Sequence, residues 1–239
     1  MKRFLLLTFL LSISFFVFAQ NSPWNVSLQL GYNGSRVNPS PYNFSIDSIF
    51  NATNTFDGES LSPARWGLGP TASIAFHRGR ASFRLHSRLF FTQSNANIIE
   101  NGITNRVDVS FWGGSISGEI TSLLIDITDY FGFYVGAGIS GNYFESGYAN
   151  VPLSSFEQDD PLNIATQNWQ VGFKLHTPFR VIIPDAHVGV SLEPYVMVFF
   201  STLNLDDFNT GLNGISPRDF VDSMDHFGAL LSVMFFLNR

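Results

Sequence analysis

The last stretch of the chain, Asp225 to Arg239, alternates with a period of two. Phe227, Ala229, Leu231, Val233, Phe235 and Leu237 are all apolar, whereas the interleaved His226, Gly228, Leu230, Ser232, Met234 and Phe236 are mixed. That period is the mark of a β-strand, here with one wholly apolar face. About 11 residues is also the length of a tilted strand crossing a bilayer. A strand of this kind at the end of a chain predicts the closing strand of a barrel embedded in a membrane.

Composition points the same way. Of 239 residues, 45% are hydrophobic, 15% aromatic and only 13% charged, with 26 Phe and 20 Gly. Soluble domains carry about 25% charged residues, so this chain is short of charge for a soluble surface. Yet after the first 20 residues no run of about 18 apolar residues occurs, which excludes an ordinary transmembrane helix. A chain that is apolar overall but never continuously so is what strands with alternating faces produce. There is no cysteine, hence no disulfide framework, thiol chemistry or lipidated cysteine. The net charge of −6 argues against a nucleic-acid partner.

Residues 1–19 have the form of an export signal. Lys2 and Arg3 form a positive n-region, Phe4 to Phe18 an apolar segment, and Val17-Phe18-Ala19 precedes a cut at Gln20. The expected organisation is a signal peptide, 1–19, followed by one barrel domain, 20–239.

Along the mature chain the alternation recurs in about eight segments. The first, from Trp24 to Tyr32, is bracketed by aromatic residues suited to membrane interfaces. The second starts at Trp66, with Pro70 at its margin. The third, Ala81 to Thr92, sets Ser82, Arg84, His86, Arg88 and Phe90 against an apolar face. In the fourth, about Arg106 to Leu124, Val107, Val109 and Phe111 are in step but Ile116 and Ile120 fall on the other parity, which predicts a β-bulge or glycine kink at Gly113-Gly114. The fifth, Tyr130 to Phe144, carries inward glycines that relieve crowding in a narrow barrel. The sixth puts Trp169, Val171, Phe173, Leu175 and Phe179 outward and Gln170, Gly172, Lys174 and His176 inward. The seventh turns His187, Ser191, Glu193 and Tyr195 inward. Long connections are expected at Asn33 to Arg65, Gln93 to Asn105, Glu145 to Ala165 and Asn204 to Met224, with short turns between. The predicted fold is an all-β, eight-stranded, antiparallel, up-and-down transmembrane β-barrel with one short and one long rim, and both termini on the periplasmic side. A lipocalin-like soluble barrel has the same topology but buries its apolar face, and so many Phe could not stay outside it.

The strand FGFYVGAGISG (Phe131 to Gly141), the terminal MFFLNR and the whole layout resemble the small outer-membrane barrels grouped around the OmpA transmembrane domain and OmpX, and more loosely the PorT-like outer membrane β-barrel proteins. The resemblance runs from Gln20 to Arg239 and implies a bacterial outer-membrane location. Members of this fold often end on an aromatic residue read by the assembly machinery; here it is displaced by Leu237-Asn238-Arg239.

The charged residues on the inward parity form the candidate site: Arg84, His86 and Arg88 on the third strand, Lys174 and His176 on the sixth and Glu193 on the seventh, with Glu119 joining if the bulge allows. Buried charges must be paired, so these residues are expected to plug the lumen, the sharper alternative being a narrow passive channel. Trp24, Tyr32, Trp66 and Trp169 are the expected aromatic girdle. Lipid A deacylases and palmitoyltransferases share the scaffold, but His86 is followed two residues later by Arg88 instead of Ser. The nearest acid–His–hydroxyl set is Ser223, Asp225 and His226, without recognisable oxyanion donors. Glu157, Asp159, Asp160, Asp206, Asp207, Asp219, Asp222 and Asp225 make the long connections acidic and suited to divalent cations bridging lipopolysaccharide; no metal centre or cofactor motif is present. The expectation is a non-enzymatic integral outer-membrane protein with a structural or partner-binding role. Its partners are outer-membrane lipid, lipopolysaccharide and an envelope protein. As free surface, the first connection should be removable from Asn38 to Leu61 without loss of folding.

Overall fold

The computed structural model describes residues 25–100, 102–128, 130–152, 162–183, 186–201, 208 and 225–237; the expected export signal, Trp24 and most of the acidic loop residues lie outside these. The described residues form nine strands: β1 Asn25–Asn38, β2 Trp66–Arg78, β3 Ala81–Glu100, β4 Ile103–Thr128, β5 Phe131–Pro152, β6 Leu162–His176, β7 Phe179–Ile183, β8 Val188–Phe199 and β9 Asp225–Phe236. All pairings are antiparallel, and the ring closes through β1–β9 and β4–β5. β6 and β7 are one stave interrupted at Thr177-Pro178, because both pair with β5 and then β8 in the same register. Eight staves therefore make the barrel.

The register sets the barrel's width. Following paired residues once round from Gly189 on β8, through Met234, Gln29, Ser73, His86, Ser117, Ser140 and Gly172, returns to β8 at Phe199, ten residues along. For eight strands such a stagger tilts them by about 40° and leaves an interior that side chains fill. Outward residues are apolar and exposed: Ile116 is 70% and Trp169 76% accessible. Inward residues are polar near the termini and in mid-barrel and aromatic near the long connections.

β4 shows why its sequence pattern misleads. Val107, Val109 and Phe111 are fully buried and face inward on the same parity as Ser115, Ser117 and Glu119, while Ile116 faces out. No bulge occurs at Gly113-Gly114, where the ladders to β3 and β5 are unbroken. The apolar residues change side of the wall because the upper lumen is itself apolar. Gly113 serves that packing, since a Cβ there would lie 2.6 Å from the Phe90 ring and 2.8 Å from that of Phe144. The register shifts lie instead at Leu123/Ile125 and Asp126/Thr128.

Two expected loops are strand over much of their described length. β3 and β4 pair out to Glu100 and Ile103, with Gly102 in the turn at φ 79°, and β5 runs on to Pro152. His187, expected inward, is exposed in the β7–β8 turn at φ 52°.

The first long connection folds into the barrel mouth. It forms a helical run, α1, made of an α-turn Ser40–Phe44, a π-helical segment Ser45–Phe50 and a last turn Asn51–Thr53. Tyr42, Ile46 and Phe50 are spaced by four and all buried; the wider winding of a π-helix keeps this spacing on one face. Tyr42 packs on Phe111 (ring centroids 5.3 Å apart) and stacks on Phe208 (4.8 Å). Asn43 and Asn51 donate to the carbonyls of Ala64 (2.9 Å) and Leu61 (2.8 Å), which ties the return segment to the helix. The helical part of the connection is thus core, where free surface was expected.

Phe50→Ala is expected to destabilise the folded barrel by about 3–5 kcal/mol, as for other large aromatic deletions, measured by urea unfolding in detergent. In the same assay Gly138→Ala should cost about 1–3 kcal/mol by overpacking, because its Cβ would sit 2.7 Å from Glu119 Cγ and 2.6 Å from the Gly118 carbonyl oxygen. Gly141→Ala, with nothing within 4 Å, should be close to neutral.

Candidate functional site: a sealed lumen beneath a protruding sheet

Period-two strands deliver side chains to the lumen from every stave. β3 supplies Arg84, His86 and Arg88, β4 supplies Glu119, β6 supplies Lys174 and His176, and β8 supplies Glu193; each is at most 4% accessible. Six of these seven meet in one cluster around the two carboxylates. Arg84 Nε donates to Glu119 Oε2 at 2.9 Å, and its Nη2 donates to the same oxygen and to Glu193 Oε1 at 2.6 Å. Lys174 Nζ bridges the pair, 2.9 Å from Glu119 Oε1 and 2.8 Å from Glu193 Oε1. His176 Nδ1 lies 2.9 Å from Glu193 Oε1 and His86 Nδ1 3.2 Å from Glu119 Oε1. Ser117 donates to Glu119 at 2.6 Å and Gln29 accepts from Arg84 at 3.3 Å.

Arg88 stands apart from this cluster. Its Nε donates to Ser115 Oγ at 2.8 Å, Nη2 reaches Met197 Sδ at 3.2 Å, and the guanidinium lies 4.8 Å from the Tyr195 ring centroid. Arg180, on β7, is equally buried and lies 4.4 Å from the Tyr134 ring centroid. Sequence reasoning missed Arg180 because it stops the sixth strand near Phe179. Carrying the Lys174-His176 parity past Pro178 reaches it.

The cluster's chemistry is that of a lock. Glu119, His176 and Glu193 each place one donor atom within 4.8 Å of the others, a spacing that could hold a metal ion. But the same carboxylate oxygens already accept from Arg84 and Lys174, and a divalent cation would have to displace both. Above this layer Phe90, Phe111, Phe144 and Phe199 close the bore with ring centroids 5.4–6.0 Å apart, and α1 covers them. Two seals of opposite character therefore lie in series along the lumen.

His226 belongs to the upper seal. It is buried, with its Nε2 3.3 Å from the Tyr195 hydroxyl and its ring edge-on to Phe90. The Asp225 side chain lies outside the described residues. Ser223 lies outside the described residues. No acid–His–hydroxyl relay is assembled at His226 among the described residues.

On the outer surface Trp169 forms a chain with Tyr143 (4.9 Å) and Trp112 (5.1 Å), two residues the sequence reading did not single out. Trp66 is 60% exposed and pairs with Arg36. Tyr32 pairs with Pro70, four residues nearer the termini along β2, so it sits below the level of Trp66 rather than in a ring with it.

Beyond this aromatic level β3, β4, β5 and β6 continue as a sheet. β2 pairs with β3 only as far as Phe91, and β8 with β6 only as far as Gly172. The β3 edge is partly covered by the first connection, through a bridge between Phe56 and Ile98 and hydrogen bonds from Asp57 N to the Asn97 carbonyl and from Ile99 N to the Thr55 carbonyl. Among the described residues no strand covers β6 from Leu162 to Trp169.

Removing one partner of a buried ion cluster costs about 3–5 kcal/mol, whereas an exposed pair contributes at most about 1 kcal/mol. Glu119→Ala is therefore expected to lower the unfolding midpoint strongly and Arg106→Ala, which breaks the exposed Arg106–Asp108 pair, hardly at all. Parallel urea titrations in one detergent check both.

No protein-family model matches the chain, and no curated protein matches it in sequence. Among solved structures it is similar to the Neisserial surface protein A (11% identity, 88% of this chain and 96% of that chain, TM-score 0.50). It also aligns with the attachment invasion locus protein Ail of Yersinia pestis (11%, 90% and 99%, TM-score 0.44) and the outer membrane protease OmpT of Escherichia coli (9%, 90% and 96%, TM-score 0.30). Identities this low speak of fold, and only the first likeness is close enough to argue from. The chain has the eight-stranded barrel fold of the small outer-membrane proteins.

Proposed function

We propose that the protein is a non-enzymatic integral protein of a bacterial outer membrane that anchors a partner-binding sheet. The observation that carries this reading is the combination of a doubly sealed lumen with strands that outrun the membrane. A span needs about 9–11 residues per strand, and β4 has 26 and β5 has 22. The β6 edge from Leu162 to Gln167, which no strand among the described residues covers, offers backbone donors and acceptors to an added strand. Export by residues 1–19, periplasmic termini and an outward-facing sheet complete the proposal. Lipopolysaccharide is the lipid expected around the Trp112-Tyr143-Trp169 chain, and the partner is an envelope or external protein presenting an extended segment. The charged cluster keeps the anchor rigid, and neither a conducting path nor a lipid-modifying site is part of this reading.

Pull-down of the tagged mature protein from native membranes in mild detergent should recover a stoichiometric protein. Consecutive strand residues point their N–H groups to opposite edges, so one of Thr166→Pro and Gln167→Pro removes a donor from the edge that faces away from β5. That variant should lose the partner while keeping the heat-modifiable gel mobility of a folded barrel. A barrel that purifies alone and conducts ions in planar bilayers, or expression that changes lipid acylation, would replace this function by the channel or the enzyme.

A further inference from the structure

The interior is not charge-balanced. Among the described residues the lumen holds four strongly basic side chains, Arg84, Arg88, Lys174 and Arg180, and two carboxylates, Glu119 and Glu193, all buried. Both carboxylates are engaged by Arg84 and Lys174. Arg88 donates from Nε to Ser115 and from Nη2 to Met197 and lies beside the Tyr195 ring, which leaves one nitrogen, Nη1, without a protein partner. Arg180 has a ring beside it, while its Nε and Nη2 have no hydrogen-bond partner among protein atoms.

The groups at the same end of the lumen share one property. Ser191 pairs with Arg180 across β7–β8, and its buried hydroxyl is unpartnered. Ser82 and Thr121 pair across β3–β4 at the end nearest the termini, both buried and both with unpartnered hydroxyls. Gln29, which accepts from Arg84 through its oxygen, leaves its Nε2 amide nitrogen unpartnered. Every one of these orphaned atoms can donate a hydrogen bond, and no free carboxylate stands among them. A buried guanidinium without a counterion costs several kcal/mol. Hydroxyls and an amide that can all turn a donor toward such a charge's counterion favour an anion.

We propose that the terminus-side end of the lumen is a binding site for a small monovalent inorganic anion of halide type, held by Arg180 Nε and Nη2 with the Ser191 hydroxyl and the facing Gln29, Ser82 and Thr121 donors. A single negative charge balances the one guanidinium there, whereas a doubly charged oxyanion would overcompensate it. The anion is a structural counterion, enclosed as the barrel closes.

The test is to refold the mature protein from urea into detergent in bromide as the sole halide, crystallise it and collect data at the bromine absorption edge. An anomalous peak is expected about 3.2–3.5 Å from the Arg180 guanidinium nitrogens, a hydrogen-bond distance lengthened for a large anion. The peak should vanish in Arg180→Met, and with it the dependence of the unfolding midpoint on halide concentration. If Arg180→Met does not fold, Ser191→Ala, which keeps the cation, should weaken the peak. A lumen with no anomalous peak, or one with a peak at Arg88 alone, overturns the assignment.

Discussion

Closure of the hydrogen-bonded ring is the constraint on which everything else rests. In hydrocarbon an unpaired backbone N–H or C=O has no water to turn to, so a spanning sheet must have no edge. Eight staves with a stagger of ten residues achieve this, and they fix the bore at a width that side chains fill. The glycines on β5 follow from that width: Gly136 abuts the His176 ring and Gly138 the Glu119 side chain. Without these small residues the cluster would not fit within the ring.

The narrow bore then decides what the interior can be. Too tight for bulk water, it must satisfy its polar groups internally or bury apolar ones. The protein does each at a different height. In mid-barrel two carboxylates accept from an arginine, a lysine and two histidines; nearer the long connections, four phenylalanines and α1 make an ordinary apolar core. The π-helical winding of α1 lets Tyr42, Ile46 and Phe50 face that core together. A barrel closed by two independent seals is what the proposed anchoring role requires. β3 to β6 extend beyond it, where the constraint is lifted and an edge strand is tolerated; among the described residues β6 is such an edge from Leu162 to Gln167.

Much of this was legible in the sequence, and the parts that were not have identifiable reasons. Alternation placed Arg84, His86 and Arg88 on one face of one strand, and Lys174 with His176 on another. It could not rank Glu119, because apolar residues at Val107, Val109 and Phe111 were taken for the lipid face, and a bulge was invoked to reconcile them with Ile116. Apolar alternation has the same appearance whether it faces lipid or an apolar plug. Arg180 was hidden behind Pro178, where the stave pauses and resumes in register. The hairpins beyond Thr92 and Phe144 were read as loops because Asn, Ser and Gly there resemble turn residues, although cross-strand pairing extends through them.

By itself the sequence determined that the chain is built of membrane-crossing strands, about how many there are, and which of their faces meets lipid over most of the wall. These follow from local periodicity and from a hydrophobic content never concentrated in one run. Only the tertiary structure decided which inward residues meet, that the first connection turns back into the mouth, and that, among the described residues, two of four buried cations lack a carboxylate. Those facts depend on register between staves distant in the chain. A one-residue change in register reverses every side chain on a strand, and no single segment records its partner's register.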